Sequence, residues 1–289
     1  MTRSNQERVF GNAPLPENKK ENSEVTSPPP TTPTPQRDES PLNFIVPTEM
    51  VDLPSRGKFY PEAHPLHTCE SIEIRHMTAK EEDILTSSSL LRKGVALDKM
   101  LQNVIVDKAI KVEDMLIGDK NALLLYSRIF GYGSDYEAVV TCPLCTGKFN
   151  HEFDLKIFEP RDFEAEMVRY EVEPTANNTF LITLPKSKLM VEFRLLTSRD
   201  EQKFIGSNKV LGSLELLDTI ILSINNQRDR YYIKKAIAHL PIMDASILKK
   251  VYSKIMPDID LIQIVECTHC AEESEMGVPL DASFFWPEF

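Results

Sequence analysis

The sequence predicts an α+β protein: two pseudo-repeated strand–helix–strand units joined by a shared, zinc-ribbon-like four-cysteine site. Three observations predict it. Stretches of alternating apolar and polar residues lead into helix-capping residues; that order recurs 119 to 125 residues later; and each copy ends in a CxxC pair. The domain organisation that follows is a tail over residues 1–41, a first unit over 42–160 and a second over 161–289.

The tail stands apart by composition. Eight of the 20 prolines precede Leu42, and Ser27–Pro41 is almost free of apolar side chains. Such a segment cannot bury enough surface to offset its ordering entropy, so a disordered Pro/Thr/Ser-rich tail is expected. Pro28, Pro29 and Pro30 form a candidate partner-binding polyproline strip.

Within the units, Ile72–Glu82 (IEIRHMTAKEE) parallels Val191–Glu201 (VEFRLLTSRDE). Both alternate as half-buried strands, reach an arginine (Arg75, Arg194) and pass through a threonine (Thr78, Thr197) into an acidic first helical turn. Thr78 with Glu81, and Ser198 with Glu201, fit capping boxes. Upstream, VDLPSRG (Val51–Gly57) and ITLPKSK (Ile182–Lys188) each read as a strand stopped by a proline turn. Amphipathic helices are predicted over Val95–Val106, Leu211–Ile224 and Arg230–Leu240 from apolar spacings of three and four. Asp119 and Asp244 each precede a CxxC by 23 residues and are placed to cap the helices that begin there. The first helix is expected to stop at Gly131 and Gly133 and the second at Pro257, with short strands EAVVT and IDLIQIVE running into the cysteines.

Cys142-Pro-Leu-Cys145 and Cys267-Thr-His-Cys270 carry the chemistry. A CxxC turn aims two thiolates at one point, and two such turns complete a tetrahedron, for which zinc is the economical ion. The 121 residues between Cys145 and Cys267 far exceed the ~15–20 of an ordinary zinc ribbon. The repeat accounts for that spacing: each unit brings half a site. A closed four-thiolate shell holds structure and leaves no position for substrate. Two other readings stand beside it, thioredoxin-like redox pairs and reduced, unliganded cysteines; neither CxxC opens a helix as a redox pair would. The second knuckle also lacks Pro143 and Gly147 of the first. His64, His67 and Cys69 lie in a proline-containing turn and read as solvated histidines with a packed thiol. No glycine-rich phosphate loop is present, and with only ten glycines none is hidden; no small-molecule substrate is expected.

The aromatic stretch SFFWPEF offers Phe284, Phe285, Trp286 and Phe289 either to the chain's own cysteine-linked strands or to a partner subunit as docking anchors. The formal charge of −11, from 33 basic against 44 acidic residues, repels phosphate backbones and disfavours nucleic acid as a partner. No apolar run approaches the ~18 residues of a membrane span, and no secretory signal is expected from MTRSNQERVFGNA.

These motifs together resemble one family. LPSRGKFYP (Leu53–Pro61), SIEIRHMTAKEEDIL (Ser71–Leu85), LLRKGVALDKMLQNVIVD (Leu90–Asp107), IGDKNALLLYSRIFGYG (Ile117–Gly133), the first CxxC and the terminal FFWP are similar to the baseplate hub subunit, or hub assembly protein, of T-even-type tailed bacteriophages. The likeness is most specific over residues 43–160 and the final CxxC-to-FFWP segment, and weak over 160–240. It implies a non-enzymatic tail morphogenesis protein, acting in the host cytoplasm during assembly or in the virion tail baseplate, as a hub component or a chaperone of hub or tape-measure proteins. The resemblance transfers no catalytic residue. The rival readings are a zinc-ribbon nucleic-acid-binding protein, which requires a basic stripe, and a metal-dependent or redox enzyme, which requires an open metal position or a reactive thiolate.

Overall fold

The computed structural model describes residues 46–205, 212–279 and 282–285. The Pro-rich tail, including Pro28–Pro30, lies outside the described residues, as do Trp286 and Phe289. The described residues fall in one compact unit.

The chain begins with an antiparallel pair, β1 (Thr48–Asp52) and β2 (Ser71–Arg75), followed by helices α1 (Ala79–Thr86), α2 (Ser88–Arg92) and α3 (Ala96–Val104). Helix α4 (Ile117–Tyr132) then leads into the hairpin β3 (Asp135–Thr141) and β4 (Lys148–Asp154). Helix α5 (Phe163–Arg169) precedes a four-stranded antiparallel sheet of β5 (Glu173–Pro174), β6 (Thr179–Thr183), β7 (Met190–Arg194) and β8 (Ile221–Ile224), paired in that order. Helices α6 (Ser198–Ile205) and α7 (Ser213–Ile220) lie between β7 and β8 in sequence. Helices α8 (Arg230–Ala238) and α9 (Ile242–Ile255) and a last hairpin, β9 (Ile262–Glu266) with β10 (Glu273–Gly277), complete the order. The fold is mixed helix and sheet, with every strand pair antiparallel. Among the described residues no helix is long and apolar enough to cross a membrane.

Each strand pair buries one face, as its alternation dictates. Ile72 and Ile74 of β2, and Val191 and Phe193 of β7, join one hydrophobic core with Met100, Leu123, Phe153 and Leu248. At the strand–helix corners, Arg75 Nη1 and Nη2 donate to both oxygens of Glu81 (3.0 and 2.6 Å), while the Thr78 amide and hydroxyl donate to Oε2. Burial alone would raise the Glu81 carboxyl, but these bonds outweigh it and hold it down at about 2. The second corner uses Arg194, Thr197 and Asp200 in the same roles. The expected box of Ser198 and Glu201 is therefore corrected by one residue: Ser198 opens the helix, and Glu201 turns to pair with the buried Lys120.

Asp119 and Asp244 also differ from their expected role. Each is the third residue of its helix, after Leu116 and Pro241 at the cap positions. Neither caps its own helix; each reaches to a proline turn after a strand. Asp119 accepts from the amide and hydroxyl of Ser55 (2.9 and 2.6 Å) and from the Tyr60 hydroxyl (2.7 Å). Asp244 accepts from the amides of Lys186 (3.0 Å) and Ser187 (2.7 Å). The predicted helix over Leu211–Ile224 is shorter than expected, ending at Ile220. Ile221–Ile224 turn into strand because β7 offers an unpaired edge and β-branched side chains suit it.

The N-terminus of α4 is stitched to the second strand–helix corner. Ser198 donates its amide to Met115 (2.9 Å) and Ile117 donates to Leu196 (3.3 Å). Gly118 is obligatory here, because a Cβ would stand 1.7 Å from the Pro257 carbonyl oxygen.

Candidate metal centre

The two CxxC sequences occupy the loops of the two hairpins β3–β4 and β9–β10, and the loops are built alike. In the first, the Cys142 amide donates to Gly147 (2.9 Å) and the Cys142 carbonyl accepts from Thr146 (2.9 Å). In the second, the Cys267 amide donates to Glu272 (3.0 Å) and its carbonyl accepts from Ala271 (2.9 Å). Thr146 and Ala271 hold the same left-handed backbone, with φ of 60° and 56°. Thus each loop turns through its fifth residue so that both sulfurs face one side.

The four sulfurs converge. Cys142 Sγ stands 3.9 Å from Cys270 Sγ and Cys145 Sγ 3.6 Å from Cys267 Sγ, and all four lie within 4.8 Å of one another. An ion bound to four sulfurs at about 2.3 Å sets tetrahedral S···S edges of about 3.8 Å, so the arrangement is compatible with one metal ion. The separations are too long for disulfides, and all four cysteines are free. Among the described residues this is the cluster of His, Cys, Asp or Glu side chains placed to hold a metal.

The four sulfurs compete for charge, one favoured as thiolate and Cys145 and Cys270 held as thiols. The amides of Cys145 and Leu144 favour the Cys142 thiolate and hold that thiol down at about 6, against desolvation. Cys270 is pushed up to about 12: the Glu272 amide favours its thiolate, but desolvation and the other three sulfurs outweigh it. Four thiolates this close repel one another, and a divalent cation offsets that repulsion.

His269, read from the sequence as a solvent-facing filler or a donor to a sulfur, bridges the two hairpins instead. Its Nε2 donates to the Lys148 carbonyl across the hairpins at 2.9 Å, and its own amide points at Cys267 Sγ at 3.4 Å. The ring lies over Gly147, where a Cβ would meet it at 2.6 Å. The signal was the glycine present in the first knuckle and absent from the second.

Sequence reasoning missed Arg128. It is fully buried and donates to the carbonyls of Phe284 (2.8 Å), Gly133 (2.8 Å) and Asp135 (3.3 Å). Phe284 packs edge-on against Tyr136, and Phe284 and Phe285 are each only 1% exposed. These two rings are spent on intramolecular packing.

The weaker cluster does not assemble. His67 Nδ1 bonds the Tyr60 carbonyl, His64 Nδ1 accepts from the Leu66 amide, and the Cys69 thiol faces the Ser71 carbonyl.

A family model described as T4 bacteriophage base plate protein matches residues 46–286, including the stretch 160–240 where the motifs are weakest. Nothing matches among the curated proteins or the solved structures.

Proposed function

The chain belongs to the T4 bacteriophage base plate protein family, and from that premise we propose that it is a hub subunit or hub assembly factor acting through protein–protein contacts, without catalysis. The family assigns a structural or assembly role in a phage baseplate; the hub is the finer reading, supported by the motifs of residues 53–133. Its partners on this reading are hub or tape-measure proteins, met in the host cytoplasm during assembly.

The sulfur cluster carries the rest of the proposal. Its tetrahedral spacing and all-thiolate donor set fit a structural zinc ion held by Cys142, Cys145, Cys267 and Cys270. When bound, the ion would neutralise the thiolates and bind the two hairpins; four protein ligands leave it no open position for chemistry. A nucleic-acid-binding zinc ribbon is disfavoured by the net charge of −11.

We also infer that residues 42–160 and 161–289 are two copies of one unit. Thr48 pairs with Arg75 as Thr179 pairs with Arg194. Each arginine holds the third helical residue of the next helix, each Asp119-type carboxylate receives a proline turn, and each knuckle repeats the same loop bonds. The copies differ most between their first strands, where 18 residues separate β1 from β2 and six separate β6 from β7.

Affinity capture of the tagged protein from infected cells, followed by mass spectrometry of assembly intermediates and of mature virions, tests the role. Recovery with hub precursors is expected. Recovery with tail-fibre or capsid precursors, and none with hub precursors, would refute it.

A further inference from the structure

We propose that the open edges of β3 and β10 form a docking cleft for an extended segment of a partner protein, one that alternates basic and apolar residues. Each hairpin has only two strands, so β3 and β10 each leave one edge unpaired. The direction of the free peptide groups follows from the strand register. Cys142 donates to Gly147 and Leu155 to Ser134, so in β3 the even-numbered residues bond β4. The amides and carbonyls of Val139 and Thr141 therefore point away from β4. Likewise Cys267 donates to Glu272 and Val278 to Leu261, which turns those of Glu275 and Gly277 away from β9. These four residues line one open cleft of about 290 Å³ together with Pro143 and Met276. That is at the lower limit of the ~300–1,000 Å³ of small-molecule pockets, and the outward-facing peptide groups on both walls suit strand addition.

Charge selects the occupant. On the solvent face of the hairpins, like charges stand directly opposite one another: Asp135 with Asp154, Glu137 with Glu152, and Glu266 with Glu273. Such pairs destabilise a sheet unless a counter-charge arrives. Among the described residues no salt bridge reaches Glu137, Glu152, Asp154, Glu266 or Glu273; only Asp135 lies in the field of a cation, the buried Arg128, and Glu137 accepts from the Asn150 amide (2.9 Å). Acidic edges also repel a second copy of themselves, the usual defence against self-pairing, so the strand they accept is basic. Beside Glu137 on the open edge of β3 stands Val139, 64% exposed, which supplies apolar contact for the alternate side chains.

The inference deepens the reading of a protein that works through protein contacts, and its test is separate from the particle experiment. Full-length protein is titrated with a labelled ten-residue peptide of alternating lysine and valine, and amide hydrogen exchange is followed at Val139, Thr141, Glu275 and Gly277. Fast exchange in the free protein and slowing on binding are expected. N-methylation of alternate peptide amides, or replacement of lysine by glutamate, should weaken binding at least tenfold. Gly277→Pro removes only an outward amide, and a Cβ there meets nothing closer than 3.8 Å; it too should weaken binding at least tenfold. No binding, equal binding of the N-methylated peptide, or slow exchange at the four amides before peptide is added would each overturn the proposal. Dimerisation through these edges would overturn it as well. If such a negative result leaves recovery with hub precursors intact, the surface is wrong and the assembly role stands.

Discussion

The imidazole of His269 occupies the space that a side chain on Gly147 would fill, and its Nε2 reaches the Lys148 carbonyl at 2.9 Å. The second knuckle is thereby seated on the first by packing and a hydrogen bond as well as by sulfur. This explains why the two loops, alike in backbone, differ at this position.

Gly147→Ala should therefore displace the ring and destabilise the protein by about 1–3 kcal/mol, the usual cost of overpacking. Thermal melts check the value. The His269→Ala/Gly147→Ala double variant should be more stable than the sum of the single changes predicts, because the smaller side chain reopens the space. Strict additivity would show that the ring and the glycine are independent.

Metal analysis of the purified protein should return one zinc per chain. Structural zinc contributes about 10–16 kcal/mol in small zinc-finger peptides, and each kcal/mol moves the melting point of a domain this size by about 2–4 °C. Loss of only a few kcal/mol on chelation or in Cys267→Ser should thus lower melting by roughly 10 °C. A metal-free preparation that melts with the native protein would remove the ion from the account.

Arg128→Met keeps the length of the side chain and deletes its donors. Three carbonyls lose a partner, each at about 1–3 kcal/mol if left dry, so destabilisation of at least about 2 kcal/mol is expected. Hydrogen exchange should rise first at Phe284 and Phe285, since the bond to Phe284 is what ties that turn to α4. Arg128→Lys should rescue little, because one ammonium cannot span the three acceptors.

Acid sensitivity has a defined sign. Glu81, Asp200 and Asp244 are held below the ordinary carboxylate range by their donors, against the opposing effect of burial. Their stabilisation is complete above the unfolded value near ~4 and is lost as pH falls from there toward about 2, the window in which unfolding should be seen. Asp119 behaves oppositely: burial outweighs the bonds from Ser55 and Tyr60 and raises its carboxyl, so its contribution shrinks as pH rises. Asp119→Asn should be mild at pH 7, within about 1 kcal/mol, because two of its partners are hydroxyls that can accept instead. Asp244→Asn should cost about 1–3 kcal/mol, since its amide group must face the amide of Lys186 or Ser187. Equal costs for the two would contradict this account.

The parts of the fold readable from sequence are those fixed locally. The strand–threonine–acid corner at Thr78 is legible because a capping box is satisfied within four residues. The second corner is ambiguous by one residue. Both Thr197-x-x-Asp200 and Ser198-x-x-Glu201 fit the pattern, and only the distant Lys120 claims Glu201. Asp119 and Asp244 have the composition of caps, but their partners lie 64 and 58 residues away, beyond any local signal. Of the candidate site, the sulfur set follows from spacing plus the recurring order, whereas His269 and Arg128 bind main-chain carbonyls, which any sequence contains.

The two ends of the Cys142–Cys270 contact are 128 residues apart in the chain. At about 5–20 residues per second of synthesis, roughly 6–26 seconds pass between the appearance of the first sulfur and the last. Throughout that interval the leading knuckle is a bare dithiol, able to grip an ion from one side only. Were the site to hold an ion, its capture would report that translation has run through the trailing knuckle, and a prematurely released polypeptide would carry two oxidisable thiols in place of the full four-sulfur set.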